Sequence, residues 1–297
     1  MTYLTALWFA ALQGITELFP VSSVAHAVLL PAVFPLRVDL EGLLPFTVML
    51  HLGTALALLL FYWRDWWRYA WSLFDHTFHI ERQVLIRLVV GTFPAAFIGF
   101  IFLKALRNHF TSAKSTAFFL IVNGLIMLLA DRKREHVRAY SQTKASLTDA
   151  KETSEHAGDK RTSDREIAEL GFLQSLLIGT AQSLALIPGF SRSGMTMVAG
   201  LFAGLSYAAA ARFTFLLATP VILGAGVVEV PRLFKPEFQH LMAPSLVGGL
   251  AAGIAAYVSV WILTRYFHQH EVQAFLPFAI YCILVGSGVL LYLSFLT

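Results

Sequence analysis

The stretch IPGFSRSGMT, residues 187–196, sets an arginine between two serines, beside glycines and after a proline. SLAL at 183–186 precedes it and VAGLFAGL at 198–205 follows, so this polar element interrupts apolar chain. The chain around it is 57% hydrophobic and 13% charged, with a mean hydropathy of +0.67. That balance marks a polytopic membrane protein, in which an intramembrane cation is expensive and points to function.

Crossing hydrocarbon as a helix takes about 20 mostly apolar residues. Six segments qualify, at 45–63, 84–103, 115–130, 208–229, 244–264 and 275–296. Two further apolar regions are broken. Residues 3–36 are interrupted by Gln13, Glu17, Pro20, Ser22, Ser23 and His26, and residues 170–205 by Gln182, Pro188, Ser191, Arg192 and Ser193. Unpaired backbone cannot face lipid, so both breaks read as re-entrant helix–loop–helix hairpins buried in protein or lining a wet cavity.

The predicted fold is thus all-α, six transmembrane helices plus two re-entrant hairpins. The order, hairpin and three spans, occurs twice: 1–130 and 170–297, separated by a hydrophilic loop at 131–169. Short matches such as FTVML at 46–50 with FTFLL at 213–217, and TAFFLI at 116–121 with QAFLPF at 273–278, support a duplication. Three spans per unit invert the second unit relative to the first. The loop holds nine of the 18 acids and nine of the 22 basic residues, so it reads as a solvated, near-neutral segment without the excess positive charge a nucleic-acid partner requires. With the loop's basic residues, Arg64, Arg68, Arg82 and Arg265 share one side, which the positive-inside bias makes cytoplasmic; both termini then lie outside. FYWRDWWRYAW at 61–71 reads as an aromatic interfacial belt, and Arg87 and Arg212 as interfacial arginines.

The chemistry concentrates at the breaks. After Pro188 and Gly189, the second offers Ser191, Arg192, Ser193, Gly194 and Thr196, with a half-helix expected to start near Gly194. A helix N-terminus and a guanidinium fork both suit phosphate oxygens. In the first break Ser22 is a candidate N-cap, and Ser22 and Ser23 precede His26 by four and three residues, which places hydroxyl and imidazole on one face. Gln13 and Glu17 share the face of the preceding half-helix and offer oxygens to a hard cation. His51, in MLHLG, is another cavity candidate outside the expected site. One cationic and one anionic break at matching places suggest a single composite site.

At these motifs the sequence resembles the bacterial undecaprenyl-diphosphate phosphatases, the bacitracin-resistance membrane family. QGITELFPVSSVAH at 13–26 and PGFSRSGMT at 188–196 carry the resemblance, with FTVMLHLGT at 46–54 and LPFAIY at 276–281. The resemblance implies hydrolysis of a polyprenyl diphosphate to the monophosphate carrier and phosphate, in the bacterial cytoplasmic (inner) membrane; the charge bias sets the site facing outside. That activity recycles the lipid carrier for cell-wall synthesis and confers bacitracin resistance. It also implies a divalent cation, Mg²⁺ or Ca²⁺, at Glu17. It gives His26 and Ser23 to the chemistry, with Ser23 or a water as nucleophile, and Arg192, Ser191, Ser193 and Thr196 to the diphosphate. Gln13, Ser22, Gly189 and Gly194 complete the expected substrate contacts, and a homodimer is an expected assembly. Gln13 stands where many members have Glu, and Val24-Ala25 where many have Thr-Gly. The alternative reading is a transporter or flippase for an anionic lipid, since broken helices in inverted repeats also bind transported anions.

Overall fold

The computed structural model describes residues 3–34, 40–110, 112–147, 160–229, 231, 234 and 236–295. Among them the chain forms twelve α-helices and no strand. The first broken region is α1 (Tyr3–Thr16) and α2 (Ser23–Val33); α3 (Leu40–Phe61), α4 (Trp63–Trp71), α5 (His79–Phe110) and α6 (Ala113–Leu147) follow. After α7 (Lys160–Glu169) the second broken region forms α8 (Phe172–Gln182) and α9 (Arg192–Phe202), and α10 (Tyr207–Glu229), α11 (Met242–Gln269) and α12 (Leu276–Phe295) complete the chain.

Five of the described helices, within α5, α6, α10, α11 and α12, are long and apolar enough to cross a membrane. A sixth span results if α3 and α4 are one element, but these bend by 69° at Tyr62. The bend follows from composition. α3 is apolar throughout, whereas α4 alternates exposed Trp63, Trp67 and Trp71 with buried Asp65 and Tyr69, the pattern of a helix lying along an interface. The central helix is α10: 67% of its apolar window is buried, against 22–39% in the other four.

Close helix crossings rest on small residues, because lipid offers no hydrophobic drive for helix association and only tight packing replaces it. A Cβ at Gly53 of α3 would strike the carbonyl of Gly249 on α11, and one at Gly179 of α8 the carbonyl of Gly91 on α5. Between α6 and α12 the contacts are reciprocal. Gly124 lies against Ala279 and Ile283, and Gly286 against Ala117 and Ile121.

Both breaks have defined backbone. Ser22 adopts φ 65°, rare for a non-glycine residue, and its hydroxyl accepts the Ala25 N–H at 3.2 Å to start α2. In the second break Gly189 has φ 113°, and a Cβ there would lie 2.6 Å from the Thr116 carbonyl, so only glycine fits. Ser191 caps α9, which starts at Arg192 rather than near Gly194.

The hydrophilic segment differs from the expected solvated loop. α6 continues helically to Leu147, and α7 is docked with Ser163, Asp164 and Ile167 buried; residues 148–159 lie outside the described ones. Asp131, the first residue of that segment, is buried and accepts the Tyr207 hydroxyl at 2.5 Å and the Phe275 N–H. Arg212 is not interfacial. Its Nε donates to Asp164 Oδ1 at 2.8 Å, its Nη2 to Asp164 Oδ2 and the Tyr69 hydroxyl, and Asp65 lies 3.2 Å away. Exposed Lys160 pairs with Asp65 in turn, and the buried Arg212–Asp164–Asp65 cluster ties α4, α7 and α10. Arg87 is also buried, its guanidinium 4.3 Å above the Phe172 ring.

Breaking a buried ion pair from one side leaves a charge uncompensated, at about 3–5 kcal/mol. Asp164→Ala should therefore lower the detergent-solubilised protein's thermal midpoint strongly. Asp164→Leu combined with Arg212→Met should recover much of the loss.

Candidate active site

The two breaks meet at a cavity of about 420 Å³. The first break contributes Gln13, Glu17, Ser22 and Ser23, the second Gln182, Ser183, Ser191 and Arg192, and α3 adds Thr47 and His51. Glu17 is the sole acid among the lining residues and it organises them. Its Oε1 pairs with Arg192 Nη2 across 175 residues of sequence. Its Oε2 accepts from Gln13 Nε2 at 2.8 Å and from the Ser23 hydroxyl at 2.5 Å, and faces His51 Nε2 at 3.2 Å.

His51 Nδ1 donates to the Thr47 carbonyl at 2.8 Å. Its Nε2 side faces the Glu17 carboxylate, so the ring bridges α3 to the first break. Arg192 and His51 thus share one carboxylate, the sole acid among the lining residues.

Asn123 of α6 locks the two breaks together. Its Nδ2 donates to the Pro20 carbonyl at 3.1 Å, and its Oδ1 accepts the Ser191 N–H at 3.0 Å. Ser193 adds a second tie, its hydroxyl donating to the Phe19 carbonyl at 3.0 Å and facing Ser191 Oγ. Cys282, buried and free, lies against the same Pro20 carbonyl.

Of the residues expected from sequence, Gln13, Glu17, Ser22, Ser23, Ser191 and Arg192 line the cavity together. The others stand outside that lining. His26 is engaged elsewhere: Nδ1 donates to the Ser22 carbonyl, and Nε2 meets the Tyr281 hydroxyl, both at 2.7 Å. The histidine beside Glu17 and Ser23 is His51. Gly189 supplies the turn, Ser193 holds Phe19, Gly194 donates its N–H to Ser191, and the Thr196 hydroxyl donates to the Arg192 carbonyl. These four shape the second break from behind. Asn123 was missed, although a lone amide in FFLIVNGLIMLL, residues 118–129, was its signal.

The donor set bears on the expected cation. Both oxygens of Glu17 already face hydrogen-bond donors, one of them a guanidinium. Among the described residues no group of three His, Cys, Asp or Glu side chains could hold a metal ion. This arrangement does not fit a resident divalent cation, which asks for several free oxygens.

A family model described as bacitracin resistance protein BacA matches residues 6–288. The chain belongs to this family. Its relatives include a protein of Granulibacter bethesdensis named undecaprenyl-diphosphatase, 42% identical over 99% of this chain and 98% of that protein. A protein of the same name from Acidiphilium cryptum is 42% identical over 99% of both chains. An Oenococcus oeni protein named undecaprenyl-diphosphatase 2 is 37% identical over 98% of both.

In this BacA-family chain Asn123→Leu tests the bridge, since it keeps similar bulk and removes both hydrogen bonds. Losing two hydrogen bonds and exposing a buried carbonyl and N–H to hydrocarbon costs about 1–3 kcal/mol for each group. The variant should unfold at lower temperature in detergent and lose activity with it, whereas an unchanged thermal midpoint would show that the bridge holds nothing.

Proposed function

We propose that the protein is an integral-membrane hydrolase that converts undecaprenyl diphosphate to the monophosphate and inorganic phosphate. The carrying observation is the Glu17–Arg192 pair at the meeting point of the two breaks, with Ser23 on the same carboxylate. The BacA-family match and the printed names of the relatives support the same substrate. In this reading the diphosphate displaces Glu17 from Arg192 and takes the guanidinium fork, with Ser191 and the start of α9 beside it. A multiply charged diphosphate competes with a carboxylate for arginine better than a singly charged phospholipid does.

Ser23 then attacks the terminal phosphorus while Glu17 takes its proton, and the bridging oxygen leaves with the lipid monophosphate. Water cleaves the phosphoserine to release phosphate. Direct attack by a water that Glu17 deprotonates would use the same residues. The geometry supports Glu17 over His26 as the base, since the Ser23 hydroxyl already points to it. Arg192 and His51 balance the charge on the transferred group, where most catalysis of phosphoryl transfer arises.

The same proposal carries the architecture: six spans and two re-entrant hairpins in two inverted halves, 1–130 and 170–297. The reciprocal contacts of α6 and α12 support it, because Ala117, Ile121 and Gly124 meet Ala279, Ile283 and Gly286, each 162 residues later. The pairing of α1 with α11 and of α8 with α5 follows the same exchange. The spacing differs from the 157 residues between TAFFLI and QAFLPF, five residues of register that look-alike apolar segments could not set. We place the halves in the bacterial cytoplasmic membrane with the site open to the outside. The activity would renew the lipid carrier for cell-wall synthesis and confer bacitracin resistance.

Phosphate release from undecaprenyl diphosphate by the purified protein is the test. Arg192→Lys should lose about a hundredfold in turnover, since a point charge does not replace the planar fork. Ser23→Ala should fall to background. A folded wild-type protein that releases no phosphate would end this reading and leave the transporter. Any divalent cation is proposed to arrive on the diphosphate, so calorimetric titration of Mg²⁺ into substrate-free protein should show no binding; a tight protein site would overturn that part.

A further inference from the structure

Gln182 closes α8 at the entry to the second break and lines the site cavity. It is 3% exposed, yet neither its Oε1 nor its Nε2 has a hydrogen-bond partner. Among the described residues, it is the cavity-lining residue with such orphaned atoms, and both of its polar atoms are orphaned. A buried amide left unpaired is destabilising at both ends, so its presence there calls for a partner that arrives later.

The first break shows the contrast. Gln13 also lines the cavity at the end of its half-helix, but Glu17, four residues on, accepts its amide N–H. Four residues after Gln182 stands Leu186, which lines the cavity and offers no acceptor. One amide is spent on holding the carboxylate, and the other is free to meet a ligand. With both an N–H₂ donor and a carbonyl acceptor, it complements a phosphoryl oxygen and a hydroxyl or water bound to the same group.

We propose that Gln182 is a substrate-contacting residue whose amide N–H donates to a phosphoryl oxygen of the bound diphosphate. The proposal rests on the hydrolase reading and deepens it. It assigns the second break a neutral hydrogen-bonding arm in addition to the Arg192 charge. The amide adds no charge to the site and is insensitive to protonation.

Gln182→Met and Gln182→Leu test it, since both remove the amide and keep an apolar side chain of similar bulk. Each should fold, with a thermal midpoint equal to or above that of wild type, because an orphaned buried amide has been removed. Each should lose about ten- to a hundredfold in kcat/KM for undecaprenyl diphosphate. Inorganic diphosphate, used as a competitive inhibitor or a calorimetric ligand, should bind both variants more weakly by a similar factor. Unchanged kcat/KM and unchanged diphosphate binding beside an active wild type would overturn the contact. So would lowered thermal midpoints in both variants with diphosphate affinity retained, which would make the amide structural. If wild type binds inorganic diphosphate but releases no phosphate, the hydrolase reading fails separately, and weaker binding by the variants would still establish the contact.

Discussion

The ion pair between Glu17 and Arg192 is the constraint on which the rest depends. Each partner sits in a helix break, and each break carries backbone that lipid cannot satisfy. Apart from Glu17, Arg192 would bury its charge without a carboxylate partner, and Glu17 would keep only Gln13, Ser23 and His51. An uncompensated buried ion costs several kcal/mol. Held together, each provides the counter-charge for the other, and the two interrupted helices must come to one place. The cavity is therefore a consequence of pairing the breaks.

What keeps the pair in register is mostly backbone contact. Asn123 spans from the Pro20 carbonyl to the Ser191 N–H, and Ser193 reaches back to Phe19, so each break reads the position of the other through hydrogen bonds. Behind them, α3 and α11 touch at Gly53 and Gly249, and α6 and α12 through Gly124 and Gly286. Glycine crossings admit little play, since any sliding brings side chains onto backbone. At the other end, the Arg212–Asp164–Asp65 cluster fastens α7 and α4 to the central α10.

Five of the six expected spans, and the chain breaks around Pro20 and Pro188, were legible in sequence because polar residues are rare there and each stands out. Ser22 as a cap, and Glu17 and Arg192 as members of one site, follow from local spacing and from scarcity of charge. Ser191 as the cap of α9 did not, since the half-helix was expected to begin near Gly194. Which histidine faces the carboxylate was not legible. His26 has the better spacing to Ser23, but Tyr281, some 255 residues away, takes its free nitrogen, while His51 approaches from α3. Distant contacts of this kind leave no periodic trace. The charged segment misled for the opposite reason. Its composition is that of a solvated loop, yet Asp131 and Asp164 are spent on buried tyrosine and arginine partners, and composition cannot tell a paired acid from a free one.

The chain's single cysteine, Cys282, is fully enclosed, with its thiol set between the Asn123 amide and the Pro20 carbonyl. A thiol packed this way presents no surface to a water-borne maleimide in the folded protein. Cysteines introduced one at a time can therefore be labelled from either side of an intact vesicle against a silent native background. The orientation of each helix end can be read chemically without first stripping the site of a residue that touches its frame.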